Sequence, residues 1–448
     1  MRVAVTGGSG QLGTVMLERL LDDRKVKSIV SIDVRPPWVT SAKLSAVRCD
    51  VRSLDIEKHL AGCDVLFHFA FLVKEHRARA EVDDVNINGS KNAFECAART
   101  GVRQIVYSSS IAAYGVLPGH PEPVVEDTPR RFQESFAYSA TKFRVEEFLD
   151  GFERTHPEIA IVRLRPAILF GARMDHSYGP ALRRGIFLAA GKAPLPVVWD
   201  EDVVDAAWLA MKKGARGAFN VCADVPLPPA EFARAGGLRP IPISPGVGRA
   251  LAGVANALAK RGLGRAVDPA WLENANVRMI VSSQRARDLL GWAPRCNTCA
   301  EVIERHRAQV PRATDRRIAL FFRMVDRLAR TAPIPPDNAR VRMVVGLQLT
   351  GPGGGDFEVK IWDGRLSIRT HRPRSPDATL SLPTRYFLDA LAGKTDIGAA
   401  LVTGKVRSRG EPSAMMVLQG IATAFAMQRA KPGRPGAIPR ALAKWFAR

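Results

Sequence analysis

Thr6-Gly7-Gly8-Ser9-Gly10-Gln11-Leu12-Gly13 stands between an apolar run, Val3 to Val5, and a stretch of helical periodicity, Gln11 to Asp22. A strand that ends in a glycine-rich turn and opens a helix is the context in which a dinucleotide is held. Gly7 permits the tight turn, Gly10 lets backbone N–H groups approach a pyrophosphate, and Gly13 lets the helix pack close to the strand. The helix start, with Gln11 and Leu12, adds the partial positive charge of its free N–H groups. Asp33 follows 20 residues after Gly13 at the end of a second strand-like run, where a carboxylate accepts hydrogen bonds from ribose hydroxyls. The same carboxylate repels a 2′-phosphate, so the pattern favours NAD over NADP, although Arg35 lies two residues away and could compensate.

Outward from this turn, β-branched runs at Ser28 to Ile32, Val65 to Phe69 and Gln104 to Tyr107 alternate with helical patterns such as Ser90 to Arg99. Continuous apolar strands separated by helices predict a doubly wound parallel sheet covered on both faces, an α/β Rossmann architecture. Between Leu164 and Arg307 the pattern loosens around proline-rich loops, which reads as a small substrate cap interleaved with the last sheet strands. From Pro311 to Asn338 the sequence reads as a linker, a basic amphipathic helix with Ile318, Phe321, Phe322, Val325 and Ala329 on one face, then a breaker segment. From Val341 onward, antiparallel strands at Val341 to Leu349, Phe357 to Trp362, Leu366 to Thr370 and Ala378 to Leu382 are expected, with two helices, as a separate α+β domain.

The chain has 448 residues, 46% apolar and 25% charged, the composition of a globular protein of two or three domains. Its net charge of +22 predicts an anionic partner, and the excess is uneven: residues 311–448 carry +14 and the rest +8. The opening lacks a basic n-region followed by an apolar core, and no apolar run of about 18 residues occurs, so a cytoplasmic protein is expected. Six cysteines are sparse for this length and fit reduced thiols. Cys296 and Cys299 form one CxxC without two further ligands nearby, so no metal is expected.

Tyr138-Ser139-Ala140-Thr141-Lys142 opens a helical run, Ala140 to Phe152, which sets Tyr138 and Lys142 on one face at i and i+4. A phenol ordinarily titrates near pH 10, and a cation held beside it favours the phenolate, a group able to exchange a proton with a substrate oxygen. Ser110, after the strand Gln104 to Tyr107, can hydrogen-bond that oxygen as charge develops. Together the three fit hydride transfer at a carbon bearing oxygen, with nicotinamide as redox partner.

With TGGSGQLG at residues 6–13, Asp33, Cys49-Asp50-Val51, His68-Phe69-Ala70, Asn86-Ile87-Asn88-Gly89-Ser90, YSSSIAAYG at 107–115, YSATK at 138–142 and Arg165-Pro166 all in order, the chain resembles the extended short-chain dehydrogenase/reductase superfamily. The match covers roughly residues 1 to 305. The resemblance implies catalytic Ser110, Tyr138 and Lys142, with Gly7, Gly10, Gln11, Leu12, Gly13, Asp33, Asp50, Val51, Ala70, Tyr138 and Lys142 about the cofactor. Asp50 would then sit near the adenine, Ala70 would line the cofactor cleft, and Asn86 would position a helix. Sugar-nucleotide epimerases usually carry Asn three residues after the Arg of the Arg-Pro motif and an Arg in the approach to the next helix. This chain has Ile168 and Ala193 to Asp202, without that Arg, and so looks closer to the 3β-hydroxysteroid dehydrogenase-like and dihydroflavonol reductase-like branch.

Trp362-Asp363-Gly364, the run Asp377 to Leu382, the helix Tyr386 to Ala392 and Gly404 to Gly410 resemble the sterol carrier protein-2 family over roughly residues 315 to 428. That resemblance implies an apolar tunnel, for which Phe357, Val359, Ile361, Phe387, Leu388, Leu391, Met415, Met416 and Leu418 are candidate walls, although any one of them taken singly reads first as core filling. The expected organisation is 1–308 NAD-binding domain with its cap mainly over 166–305, 309–338 linker, 339–428 lipid-binding domain and 429–448 basic tail. The tail, with six basic and no acidic residues, suits an anionic membrane interface, a solvated tail or a helix packed on its own domain. The expected activity is an NAD-dependent dehydrogenase acting on a lipophilic small molecule. The alternatives are sugar-nucleotide epimerisation or a lipid carrier that only senses NAD(H). The expected partners are that substrate, a peripheral membrane surface and a second copy of the chain, not nucleic acid.

Overall fold

The structure, a computed structural model, describes residues 1–39, 41–73, 79–171, 186–260, 274–309, 318–323, 326, 342–350, 354–362, 365–369, 376–391 and 407–410. The chain divides into two compact units, Met1–Arg307 and Ala308–Arg448.

In the first unit β1 (Arg2–Thr6), β2 (Ser28–Asp33), β3 (Leu44–Arg48), β4 (Val65–His68), β5 (Gln104–Ser108) and β6 (Ala160–Pro166) join a strand at Gly217–Val221, which is β10 in chain order. They form one sheet in the order 3-2-1-4-5-6-10, and every neighbouring pair is parallel. The connections include helices α1 (Gln11–Leu21), α2 (Ile56–Leu60), α3 (Arg79–Asp83), α4 (Gly89–Arg99) and α5 (Ala137–Thr155). Side chains alternate across a strand, so β1 divides its apolar residues between two layers: Val3 and Val5 pack with α1, and Ala4 packs with α4. Burial on both faces is why these strands read as continuous apolar runs. The helix face Val15, Met16, Leu17 and Leu20 is fully covered, each side chain contributing about 2 kcal/mol by burial. Strand order reverses between β1 and β4, and a doubly wound sheet opens its ligand crevice at such a point, outside the carboxyl ends of the strands.

The cap adds two short parallel pairs, β7 (Ile168–Phe170) with β9 (Val197–Trp199), and β8 (Ile186–Ala190) with β11 (Arg239–Ile243). They pack around Phe170, Phe187, Trp199 and Phe232. The helix Asp200–Lys213 returns the chain from the cap to the sheet. Three carboxylates in its first turn and two lysines in its last complement the helix dipole, and Gly214 at φ +58° ends it. All six cysteines are free and buried. Cys299 lies beside Cys222 rather than acting with Cys296, and no group of three or more metal-ligating side chains occurs among the described residues.

The second unit contains β12 (Arg342–Thr350), β13 (Gly355–Trp362), β14 (Arg365–Arg369), β15 (Ala378–Pro383) and β16 (Arg407–Gly410), in the order 14-13-12-15-16. The expectation of an antiparallel sheet is corrected here: β12 and β15 pair in parallel, so the sheet is mixed. After the β12–β13–β14 meander the chain crosses to the far side of β12, and alternation along a strand reports its buried face, not its partner's direction. Phe357, Val359, Ile361 and Phe387 pack with one another as a core. Ile318 and Phe322, expected within a connecting segment, are buried in that same core, with the Phe322 ring 4.2 Å from that of Phe357. Val325, Ala329, the breaker segment after it, Met415, Met416, Leu418 and the basic tail lie outside the described residues.

Candidate active site

The turn from β1 into α1 is built by close contacts. Gly7 adopts φ +72°, and a Cβ there would stand 2.5 Å from the Ala70 nitrogen; a Cβ on Gly13 would meet the Gly7 carbonyl at 2.1 Å. A Cβ on Gly10 would meet only the Gly7 carbonyl, at 3.1 Å, so its outer side faces open space. Gly10 is the N-cap of α1 and offers no side-chain cap, which leaves the first-turn N–H groups available to an anion. Leu12 is buried in the core and contributes backbone only, while the Gln11 amide donates to Asp200 at 3.1 Å.

Asp33 accepts from the Ser9 N–H and the Arg35 N–H, both at 3.0 Å, one to each carboxylate oxygen. The Ser9 hydroxyl and the indole of Trp38 tie the glycine turn to the loop after β2. This clamps the carboxylate at the end of β2 with lone pairs remaining for ribose hydroxyls, and the Arg35 Nε is 3.8 Å away. Asp50 is held by Arg52, and Val51 packs against Gly89, where a Cβ would approach to 2.6 Å. These residues fit an NAD molecule laid across the β1–β4 crevice: a glycine cradle, an uncapped helix start and an acidic ribose anchor.

The proton-handling groups meet at the ends of β5 and α5. Ser110 caps a 3₁₀ turn, Ile111–Tyr114, and hydrogen-bonds Tyr138; Ser139 donates to the Ala112 carbonyl at 2.7 Å and pins the start of α5 to that turn. Thus Ser110 and Tyr138 come together as the ordering of motifs implied. Lys142 differs from the expectation. Its ammonium donates to the Ser108 carbonyl at 2.7 Å and the Tyr107 hydroxyl at 3.3 Å, and lies 3.5 Å above the Phe71 ring. Burial therefore raises the Tyr138 phenol above its ordinary value, with the Ser110 bond pulling partly back, and the phenolate expected from a neighbouring cation is not favoured in this arrangement. Burial also pushes Lys142 down to about 7, opposed by the Glu146 carboxylate one turn along α5.

Glu146 escaped the sequence reading, although its i+4 spacing from Lys142 was a usable signal. It is fully buried. Its carboxylate accepts from Arg165 Nε at 3.0 Å and Nη2 at 2.5 Å, from Arg130 at 3.2 Å and from the Ser109 hydroxyl. Burial alone would raise its pKa, but Arg165, Ser109 and Arg130 hold it below the usual carboxylate value. Arg165, singled out only as part of an Arg-Pro motif, is thereby the link from β6 to the helix that carries Tyr138 and Lys142.

A second chain of bonds sets the loop after β4. Ala70 N–H reaches the Thr6 hydroxyl, Thr6 pairs with His68 Nδ1 at 2.8 Å, and His68 Nε2 with the Ser90 hydroxyl at 2.9 Å. Ser90 donates to the Asn86 carbonyl, which leaves its oxygen to accept and assigns the proton of the neutral ring to Nε2. Asn86 then grips both backbone groups of Leu72, at 2.7 and 2.9 Å. Asn86, implied to position a helix, ties the helical segment Asp84–Asn88 to the Ala70–Leu72 loop, which carries Phe71 over Lys142. Burial, with Lys142 adding repulsion, pushes His68 down to about 3.

Comparison with known proteins fits this geometry. A family model described as the NAD dependent epimerase/dehydratase family matches residues 3–222. A UDP-glucose 4-epimerase of Mycolicibacterium smegmatis is 30% identical over 235 residues, 46% of this chain and 72% of that protein. The chain belongs to the NAD-dependent epimerase/dehydratase family. As a member of that family it is an NAD-dependent enzyme with the short-chain dehydrogenase/reductase fold, and its C-terminal module is an SCP-2 sterol transfer family domain, matched over residues 328–423. An uncharacterised Mycobacterium tuberculosis protein is 27% identical to this family member over 257 residues, 55% of the chain and 68% of that relative. A ketoreductase of a farnesylated dihydroquinoline oxide from Stigmatella aurantiaca is 28% identical over 185 residues, 41% of the chain and 54% of its own length. The solved UDP-glucose 4-epimerase of Thermotoga maritima superposes with a TM-score of 0.55 at 20% identity, over 69% of this chain and 98% of that one, a likeness of fold. Among the described residues no helix is long and apolar enough to cross a membrane.

Proposed function

We propose that this enzyme interconverts a hydroxyl and a ketone on a lipophilic, sterol-like or long-chain substrate, and that the SCP-2 family module holds or delivers that lipid. The observation that carries the reading is the occurrence, in one chain, of the Ser110–Tyr138–Lys142 cluster and an SCP-2 domain. Ile168, paired with Val197 in the β7–β9 wall, supports it by giving an apolar surface where the resemblance expects a polar anchor for a sugar nucleotide. The Stigmatella relative, named for a substrate that bears a farnesyl chain, supports an apolar class as well. NAD, when bound, accepts or donates the hydride. Tyr138 Oη exchanges the proton of the substrate oxygen, and the Ser110 hydroxyl hydrogen-bonds that oxygen as charge develops. Lys142, turned toward β5, holds the ends of β5 and α5 together, and in the working complex its charge lowers the cost of a phenolate on Tyr138. The chemically raised phenol is a proton donor in this arrangement, the role needed for ketone reduction.

We assign the cofactor contacts to Gly7, Gly10, Gln11, Leu12, Gly13, Asp33, Asp50, Val51 and Ala70, and the lipid-binding role to the second unit. The test is NADH formation by the full chain against hydroxysterols, long-chain secondary alcohols and UDP-sugars, with Tyr138→Phe alongside. Turnover of a lipophilic alcohol that drops by about 10²–10⁴-fold in the variant, with NAD affinity retained, is the expected result. Conversion of a UDP-sugar to its epimer, read by chromatography of the sugar nucleotides because that reaction forms no net NADH, with no lipophilic alcohol turned over, would replace it with sugar-nucleotide epimerisation, a reading that the Mycolicibacterium relative's name favours.

A further inference from the structure

The helix Pro245–Lys260 in the cap carries a row of exposed large aliphatic side chains. Val247, Leu251 and Val254 are 51%, 47% and 59% exposed, whereas Gly248 and Ala252 are the buried positions that dock the helix. At 100° per residue the three side chains fall at i, i+4 and i+7, one stripe about 10 Å long. Exposed Ala250 and Ala257 widen the stripe, and exposed Arg249 lies on the far side of the helix from it. Just before this helix, Leu188 of β8 and Ile241 of β11 stand opposite each other in register and are 47% and 38% exposed. A helix stripe and a strand pair therefore expose large aliphatic side chains within one short part of the cap, where a soluble surface scatters them singly.

Charge indicates what covers such a face. Between residues 232 and 267 the sequence has six Lys or Arg and no Asp or Glu. A protein partner of ordinary composition does not require that imbalance, whereas the headgroups of an anionic bilayer do. We propose that the helix Pro245–Lys260 lies in the interface of an anionic lipid bilayer, its Val247–Leu251–Val254 stripe entering the acyl boundary and the positive excess of this stretch of sequence drawing it to the headgroups. The enzyme thereby gains a membrane attachment in its first unit that does not depend on its lipid-binding module or on which substrate it turns over.

The test uses the full-length protein and cosedimentation with phosphatidylcholine vesicles, with and without about a third phosphatidylglycerol. The wild type is expected to sediment with the anionic vesicles and not with the neutral ones. A Leu251→Glu, Val254→Glu double variant is expected to bind them about tenfold more weakly, because two inserted aliphatic groups are lost and two like charges face the lipid. Both positions are exposed, so the variant keeps its fold, and unchanged NAD affinity verifies this. An environment-sensitive fluorophore on Val254→Cys, specific because all six native cysteines are buried, is expected to shift to the blue when anionic vesicles are added. The proposal is overturned if the wild type ignores anionic vesicles, if the double variant binds them like the wild type, or if the label on bound protein stays in water. It is also overturned if the double variant changes only the oligomeric state, which would make the stripe a contact between two copies of the chain.

Discussion

Lys142 and Glu146 show how one turn of helix tunes an ionisable group. In the arrangement described, the Lys142 ammonium persists only below about 7, so a step that needs its charge declines as pH rises through that value. Glu146→Gln removes the carboxylate that opposes the effect of burial on Lys142, and the decline moves to lower pH. A kcat/KM profile whose alkaline limb stays put would refute this role for Glu146. The groups that face Lys142 are Tyr107 on β5, His68 on β4 and Tyr138 and Glu146 on α5, so no other carboxylate among them can substitute. His68 gives a stability prediction of definite sign. Its folded pKa is about 3 and an unfolded histidine titrates near 6.5, so between these values the unfolded chain takes up a proton that the native one refuses. Stability therefore falls as pH drops through that window, by a few kcal/mol in order of magnitude. Melting temperatures measured from pH 7 to pH 4 are expected to fall less steeply for His68→Gln than for the wild type. Ser110, Tyr138, Lys142 and Asp33 were legible because local motifs in order carry them. Tyr107 and Phe71 were not, since their contact with Lys142 depends on how β5 and the loop after β4 pack against α5.

The glycine turn separates two effects that a motif alone merges. Gly13→Ala drives a Cβ to 2.1 Å from the Gly7 carbonyl and must displace backbone, so it is expected to lower the melting temperature by several degrees as well as abolish NAD binding. Gly10→Ala meets only a 3.1 Å contact and fills the open side of the turn, so it is expected to weaken NAD while leaving the melting temperature nearly unchanged. Equal losses of stability in the two variants would refute the distinction; parallel thermal melts and NAD titrations decide it. At this scale β1, β2, β4, β5, α1, α4 and α5 were readable because each has one dominant period, whereas β3, only partly buried, and the cap strand β11, broken by prolines, carry no such period. The β12–β15 pairing direction was not, because it is set by where the chain crosses the sheet after β14, and no residue in either strand encodes that path.

The division into Met1–Arg307 and Ala308–Arg448 lets function be tested by halves. A protein ending at Arg307 is expected to match the full chain on a short, water-soluble secondary alcohol and to fall behind only on poorly soluble lipids at low concentration, where a tethered carrier raises local supply. If the two proteins use dilute lipid equally well, the SCP-2 module does not feed this active site. The positive excess of +14 in residues 311–448 was visible by counting, but the contribution of Ile318 and Phe322 to the second core was not, since an amphipathic helix reads the same whether it connects units or closes one of them. The mixed sheet has a further consequence during synthesis. Once Arg369 has left the ribosome, the β12–β13–β14 meander can pair, yet the other edge of its first strand must await residues 378–383. For about 1 to 3 s of elongation the nascent chain thus presents an unpaired edge along Val345–Thr350, a template for pairing with another molecule that closes only when the parallel partner arrives.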